Sequence, residues 1–132
     1  MIRGRAPLPV LALACFLAMV AVSAPATADM FGDGFKPCGD AASTAATVDC
    51  TTRKTNEWDK RLNASHGELL RSAEADQRPA LQAAQRLWLQ YRDANCAFYA
   101  AGPGTIRLVN AAECLRAMTQ DRASEFEQAL RP

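Results

Sequence analysis

The sequence predicts an all-α domain, a three-helix antiparallel bundle stapled by two disulfides. Three observations carry this. From residue 40 onward, apolar residues recur at three- and four-residue steps, the spacing of one helix face. Nothing alternates with period two for long, and β-branched residues are sparse, so strands lack support. Two short breaks, at 72–79 and at Ala101-Gly102-Pro103-Gly104, separate three long segments, and short connections join antiparallel neighbours.

The first residues stand outside this bundle. Arg3 and Arg5 precede an apolar run from Leu8 to Val22, and small residues follow as far as Ala28. That order reads as a secretory signal peptide over 1–28, cut after Ala26-Thr27-Ala28 to leave Asp29 first. The run is too short for a membrane span, which needs about 20 apolar residues, so no stable span is expected after cleavage. Lipidation at Cys15 is disfavoured, because Phe16-Leu17-Ala18-Met19-Val20 continues the apolar run past it. The expected location is therefore the periplasm or the exterior. Residues 29–37 hold two glycines, a proline and no periodic pattern, and read as a flexible N-terminal tail. Phe31 and Phe35 are its exceptions, able to dock on the domain.

The first helix is expected over about 44–73, with Asp40 or Asp49 as N-cap. Val48, Thr55, Trp58, Leu62, Ser65 and Leu69 can share its inner face. Gly67 sits inside it and weakens it by about 1 kcal/mol relative to Ala. Asp76 can cap the second helix, over about 77–100, and Pro79 is tolerable in its first turn. There Leu81, Ala84, Trp88, Tyr91 and Asn95 fall on one face, with Gln85, Arg92 and Cys96 beside them. Thr105 can cap the third helix, which runs to about Leu130 on a stripe of Leu108, Ala111, Leu115, Met118, Phe126 and Ala129. Trp58, Leu62, Trp88, Leu115 and Met118 are the expected core, with the second helix at its centre.

Without Cys15, four cysteines remain, an even count that reads as two disulfides in a small exported domain. No two lie within four residues of each other, so a zinc site is not expected. Cys96 and Cys114 flank the Gly-Pro-Gly loop at similar heights in a hairpin, which favours Cys96–Cys114 and leaves Cys38–Cys50. In one straight helix the latter pair would be about 18 Å apart, and a disulfide needs Cα atoms within about 7 Å. The chain must therefore turn back near Gly39-Asp40. The rival pairing, Cys50–Cys96 with Cys38–Cys114, is also geometrically open.

Chemistry is hard to find. Removing Arg3 and Arg5 takes the 15 basic residues to 13 against 14 acidic ones, a net charge near −1. That argues against nucleic acid as partner. His66 is the single histidine, with no Ser-His-Asp pattern close by, and there is no Gly-rich phosphate loop. No cofactor or metal is implied, and no enzyme activity is expected. Arg92 and Arg122 fall on or beside apolar stripes. A buried guanidinium must be paired, so they are expected to form a structural polar network with Asp59, Asn63, Gln85 and Thr119.

With these residues in place, the chain resembles the LprI-type lysozyme inhibitor family. The carrying residues are Cys38 and Cys50, then Asp59-x-x-Leu62-Asn63, then Ala84-Gln85-Arg86-x-Trp88-x-x-x-Arg92-Asp93-x-x-Cys96. After the Gly-rich loop comes Ala112-x-Cys114-Leu115-x-x-Met118-Thr119-x-x-Arg122. The resemblance covers about 37–127 and marks 38–132 as the family's helical domain. One departure is His66, where the family usually has Tyr.

The resemblance implies an exported, disulfide-linked helical protein whose partner is a protein, lysozyme in some relatives. The alternative is a periplasmic structural or adaptor module that binds another envelope component without inhibiting lysozyme. The loop Gly102-Pro103-Gly104-Thr105 is the candidate probe, since a nearby disulfide would preorganise it. An ordinary helix–helix turn is the plainer reading.

Overall fold

The computed structural model describes residues 30–132. The expected signal peptide, its cleavage site and Cys15 lie outside the described residues. Those described form one short helix, α1 (Lys36–Gly39), and three long ones, α2 (Thr44–Ser72), α3 (Gln77–Ala100) and α4 (Ile106–Ala129). They contain no strand.

Local chemistry explains the ends of α2. Ser43 is its N-cap, in extended backbone, and its hydroxyl accepts from the Ala46 N–H at 3.1 Å. The cap is thus neither Asp40 nor Asp49, because the Cys38–Cys50 disulfide turns the chain between them. Asp76 and Thr105 sit at the N-cap positions of α3 and α4 without side-chain cap bonds. At the start of α3, Gln77 Oε1 instead accepts from the Glu74 N–H at 3.1 Å.

Hydroxyl side chains line the inner face of α2. Thr51 and Thr55 donate to carbonyls one turn back, at 2.8 and 3.0 Å, and Ser65 donates to Arg61 O at 2.9 Å. Each buried hydroxyl is therefore satisfied by its own helix and can be covered without a desolvation penalty.

The bundle is organised around α4, not around α3. Nine α4 residues are buried, against two of α3, Gln85 and Cys96. Helix α2 lies on one side of α4 and runs in the same direction. Thr47 and Val109 line one pocket at the first end, and Leu69 and Ala129 line another at the far end. Helix α3 descends along another side of α4. Ala112, Ala117 and Ala123 leave α4 narrow enough for both neighbours to approach. The apolar centre is Leu62, Ala123 and Phe126, with Trp58, Leu69, Leu81 and Trp88 partly buried against it. Leu115 and Met118 are half-buried, and Met118 faces Asn95 and Cys96 of α3.

The face expected on the second helix is split. Leu81, Trp88 and Asn95 turn toward α4, whereas Ala84 and Tyr91 are exposed. A helix resting on one neighbour buries a narrower stripe than a helix inside a bundle.

Phe31 and Gly34, in the segment read from sequence as a tail, lie against α4, and α1, which follows, packs on α2. Phe31, at φ 64°, donates its N–H to Glu113 Oε1 at 3.1 Å. Phe31 and Phe35 meet edge to face at 5.0 Å, and Cys38 is fully buried.

Candidate functional site: the α3–α4 tip

Both disulfides join the pairs favoured by the hairpin argument. Cys38–Cys50 and Cys96–Cys114 each span 5.5 Å between Cα atoms. The second lies below the α3–α4 connection and ties its two legs. The Met118 sulfur sits 3.9 and 3.8 Å from the two bridging sulfurs, and Asn95 Nδ2 reaches Met118 Sδ at 3.3 Å.

Above this staple the connection is tightly built. The Ala101 N–H bonds to Ala97 O and Phe98 O, and the Gly102 N–H bonds to Tyr99 O at 3.3 Å. A Cβ at Gly102 would stand 3.4 Å from that same carbonyl oxygen. Gly104 takes φ 66°, the left-handed conformation that glycine adopts without strain, and this returns the chain into α4. Leu108 N–H closes the first turn on Thr105 O, and Arg107 Nη1 reaches back to Ala100 O at 3.4 Å. Around the turn, Pro103, Thr105, Ile106 and Arg107 are all exposed. The turn is thus preorganised, with Ile106 and Arg107 exposed where it enters α4, and Ile106 also lines a pocket beside Phe31 and Phe35.

The six residues expected to form one polar network are distributed differently. Arg122 Nε donates to Gln85 Oε1 at 3.0 Å, which ties α4 to α3. The same guanidinium pairs with Glu125 and lies 4.2 Å over the Phe126 ring. Asp59 and Asn63 bond to each other on α2. Arg92 bonds to its neighbour Asp93 and rests near the Trp88 ring. Thr119 Oγ1 is buried without a hydrogen-bond partner among the described residues.

A groove of about 410 Å³ separates α2 from α3, lined in part by Asp59, Asn63, His66, Gln85 and Arg86. His66 stacks on Phe126 at 5.5 Å. Burial, and secondarily the Arg122 charge, hold its imidazole below the usual histidine pKa.

The fully buried polar centre lies elsewhere, in residues that sequence reasoning passed over. Arg116 donates to both carboxylate oxygens of Glu113, at 2.7 and 2.6 Å, and also bonds to Gln120. The Glu113–Arg116 spacing of three residues is ordinary for an exposed helix pair, so periodicity carried no sign of burial.

Among the described residues, no group of three or more His, Cys, Asp or Glu is placed to hold a metal ion, and no helix is long and apolar enough to cross a membrane. Neither curated proteins nor solved structures give a match. A family model described as lysozyme inhibitor LprI matches residues 38–126, a span that runs from the first disulfide through all three long helices to the core residue Phe126. The chain belongs to the LprI lysozyme inhibitor family.

Proposed function

We propose that this protein is exported to the bacterial envelope and binds lysozyme there, presenting the α3–α4 tip to the sugar-binding cleft. The family match over residues 38–126 is the observation that carries lysozyme as partner. Two disulfides support the exported location, since such bonds persist in oxidising compartments. The tip suits the task on physical grounds. Glycoside hydrolysis depends on two carboxylates flanking the scissile bond. A rigid turn that leaves Ile106 and Arg107 exposed offers such a cleft an apolar contact and a complementary charge. The protein acts by occupancy, with no chemical step of its own.

The test is a lysis assay in which the purified protein is added to lysozyme in micromolar excess, with and without reductant. The expected result is slowed lysis that reductant weakens. The variant Ile106→Asp/Arg107→Glu should keep its helical circular dichroism and lose at least tenfold in inhibition. Unslowed lysis by the folded wild type would sink the lysozyme reading and favour an adaptor role toward another envelope component. Full inhibition by the tip variant would move the inhibitory surface elsewhere.

A further inference from the structure

Ala80, Ala84, Leu87, Tyr91, Ala94 and Phe98 follow one another on α3 at steps of four, three, four, three and four. This is the a/d repeat of a coiled-coil seam. All six are exposed, and the large ones strongly so, with Leu87 at 65%, Tyr91 at 61% and Phe98 at 74%. The seam is distinct from the face that holds α3 on α4. Leu81, Trp88 and Asn95 make that contact, one position further along in each repeat and so about 100° around the helix. It also points away from α2, because Gln82 and Leu89 line the α2–α3 groove on the other flank. Beside the seam stand Ala83, Gln90 and Ala97, so no charge lies along it or on its outer edge. On a chain with 22% charged residues, an uncharged strip of this length calls for a cover.

We propose that α3 pairs with α3 of a second copy of this chain, antiparallel, about a two-fold axis near Leu89. The side-chain sizes favour this occupant and this direction. With the axis there, Phe98 of one copy faces Ala80 of the other, Ala84 faces Ala94, and Leu87 faces Tyr91, each contact occurring twice. A parallel pair would set Phe98 on Phe98 and Ala80 on Ala80, whereas the antiparallel pair matches the largest side chain of the seam with a small one at each end. The area also suffices. A fully covered Phe or Tyr removes about 150–250 Å² from water, so Tyr91 and Phe98 at their exposures offer roughly 250 Å² together. With Leu87 and the alanines the seam reaches roughly 500 Å² per copy when fully covered, so two copies bury up to about 1,000 Å², the size of a weak, reversible interface. The arrangement leaves Ile106 and Arg107 of each copy at opposite ends of the dimer. The pairing does not depend on the lysozyme reading.

Light scattering on the full chain as the cell delivers it, at high micromolar concentration, should give twice the chain mass. Leu87→Glu removes the central apolar contact and adds two like charges near the axis, so its mass should halve. Leu87 is exposed, so in dilute solution, where both proteins are monomeric, the melting temperature should stay within a few degrees of wild type. The variant L87E/Y91K should recover the dimer, because antiparallel pairing sets the carboxylate introduced at position 87 of one copy against the ammonium introduced at position 91 of the other. A monomeric wild type, or an L87E protein that remains dimeric, would overturn the proposal. An L87E/Y91K protein that stays monomeric would overturn the antiparallel register. The lysis assay separates this face from the tip. Monomeric L87E should still inhibit, whereas loss of inhibition in L87E together with a monomeric wild type would assign the seam to lysozyme instead.

Discussion

Glu113 and Arg116 form a two-pronged ion pair at the heart of the molecule, with their side chains 0% and 1% exposed. The Phe31 N–H donates to the Glu113 carboxylate, and the guanidinium also bonds to the Gln120 side chain. The pair therefore does more than neutralise two charges on α4. It fastens the N-terminal segment to the central helix, and Gly34 lies directly against the guanidinium. A buried ion pair adds little net stability over apolar residues, but one left without its mate is costly.

The first prediction follows from that asymmetry. Glu113→Ala or Arg116→Ala alone should destabilise the domain by about 3–5 kcal/mol. At about 4–8 °C per kcal/mol for a domain of this size, the melting temperature should fall by more than 10 °C. Glu113→Leu/Arg116→Met should recover much of the loss. Thermal melts of the three variants decide this, and equal losses in all three would refute the isolated-charge explanation.

Two glycine substitutions should move stability in opposite directions. A Cβ at Gly34 would fall within 2.9 Å of Arg116 Cζ, on a side chain pinned by Glu113. Gly34→Ala should therefore cost about 1–3 kcal/mol by overpacking. A Cβ at Gly67, inside α2, would meet only Arg71 Nη1 at 3.7 Å. Gly67→Ala should stabilise by about 0.5–1 kcal/mol, by restricting the unfolded chain and improving helix propensity. Urea titrations of both variants would read the two signs.

Removing the Cys96–Cys114 bridge, as Cys96→Ala/Cys114→Ala, should cost about 3 kcal/mol for the loop it closes. Its effect on function should differ from that of removing Cys38–Cys50. The first bridge preorganises the tip directly, and the second anchors the N-terminal segment at the start of α2. Inhibition measured below both melting temperatures should fall more for the 96/114 variant. Equal inhibition by both would count against the tip.

His66 predicts a pH dependence of stability. Its folded pKa lies below the ordinary value because burial and Arg122 disfavour the imidazolium. The unfolded chain therefore binds the proton more readily, and stability falls as pH drops through the ordinary histidine pKa of about 6.5. The loss levels off once pH is below the folded pKa. Melts between pH 7.5 and 5.5 should show a falling melting temperature in the wild type and a flatter profile in His66→Gln. The Arg61–Glu127 pair, which lowers the Glu127 pKa mainly through its hydrogen bonds, titrates at more acidic pH and leaves this window clear.

Much of this architecture was legible from local pattern. Helices α2, α3 and α4 begin and end within a residue or two of where periodicity and the Gly-Pro-Gly break put them. The Cys96–Cys114 pair was favoured because its members stand at similar heights on either side of a short loop, six residues before Gly102 and ten after Gly104. What escaped was burial that depends on neighbours. Tyr91 shares a spacing with Trp88, and nothing local says that one faces α4 and the other faces outward. Arg92 and Arg122 both looked like network residues. Only Arg122 reaches across to another helix, because Gln85 of α3 happens to lie opposite it.

The sequence by itself determined the elements: three long helices, their breaks, the favoured pairing of their cysteines and the family they belong to. Helix periodicity, turn chemistry and loop length act over a few residues and are written in order along the chain. The tertiary structure alone decided that α4 is the centre. Two helices and the 30–38 segment converge on it from different sides, and this turned Glu113 and Arg116, an ordinary helical pair in the sequence, into the most deeply buried charges described. The same arrangement left one flank of α3 uncovered. Burial is a property of the whole arrangement, because a side chain loses water only when another element arrives to replace it.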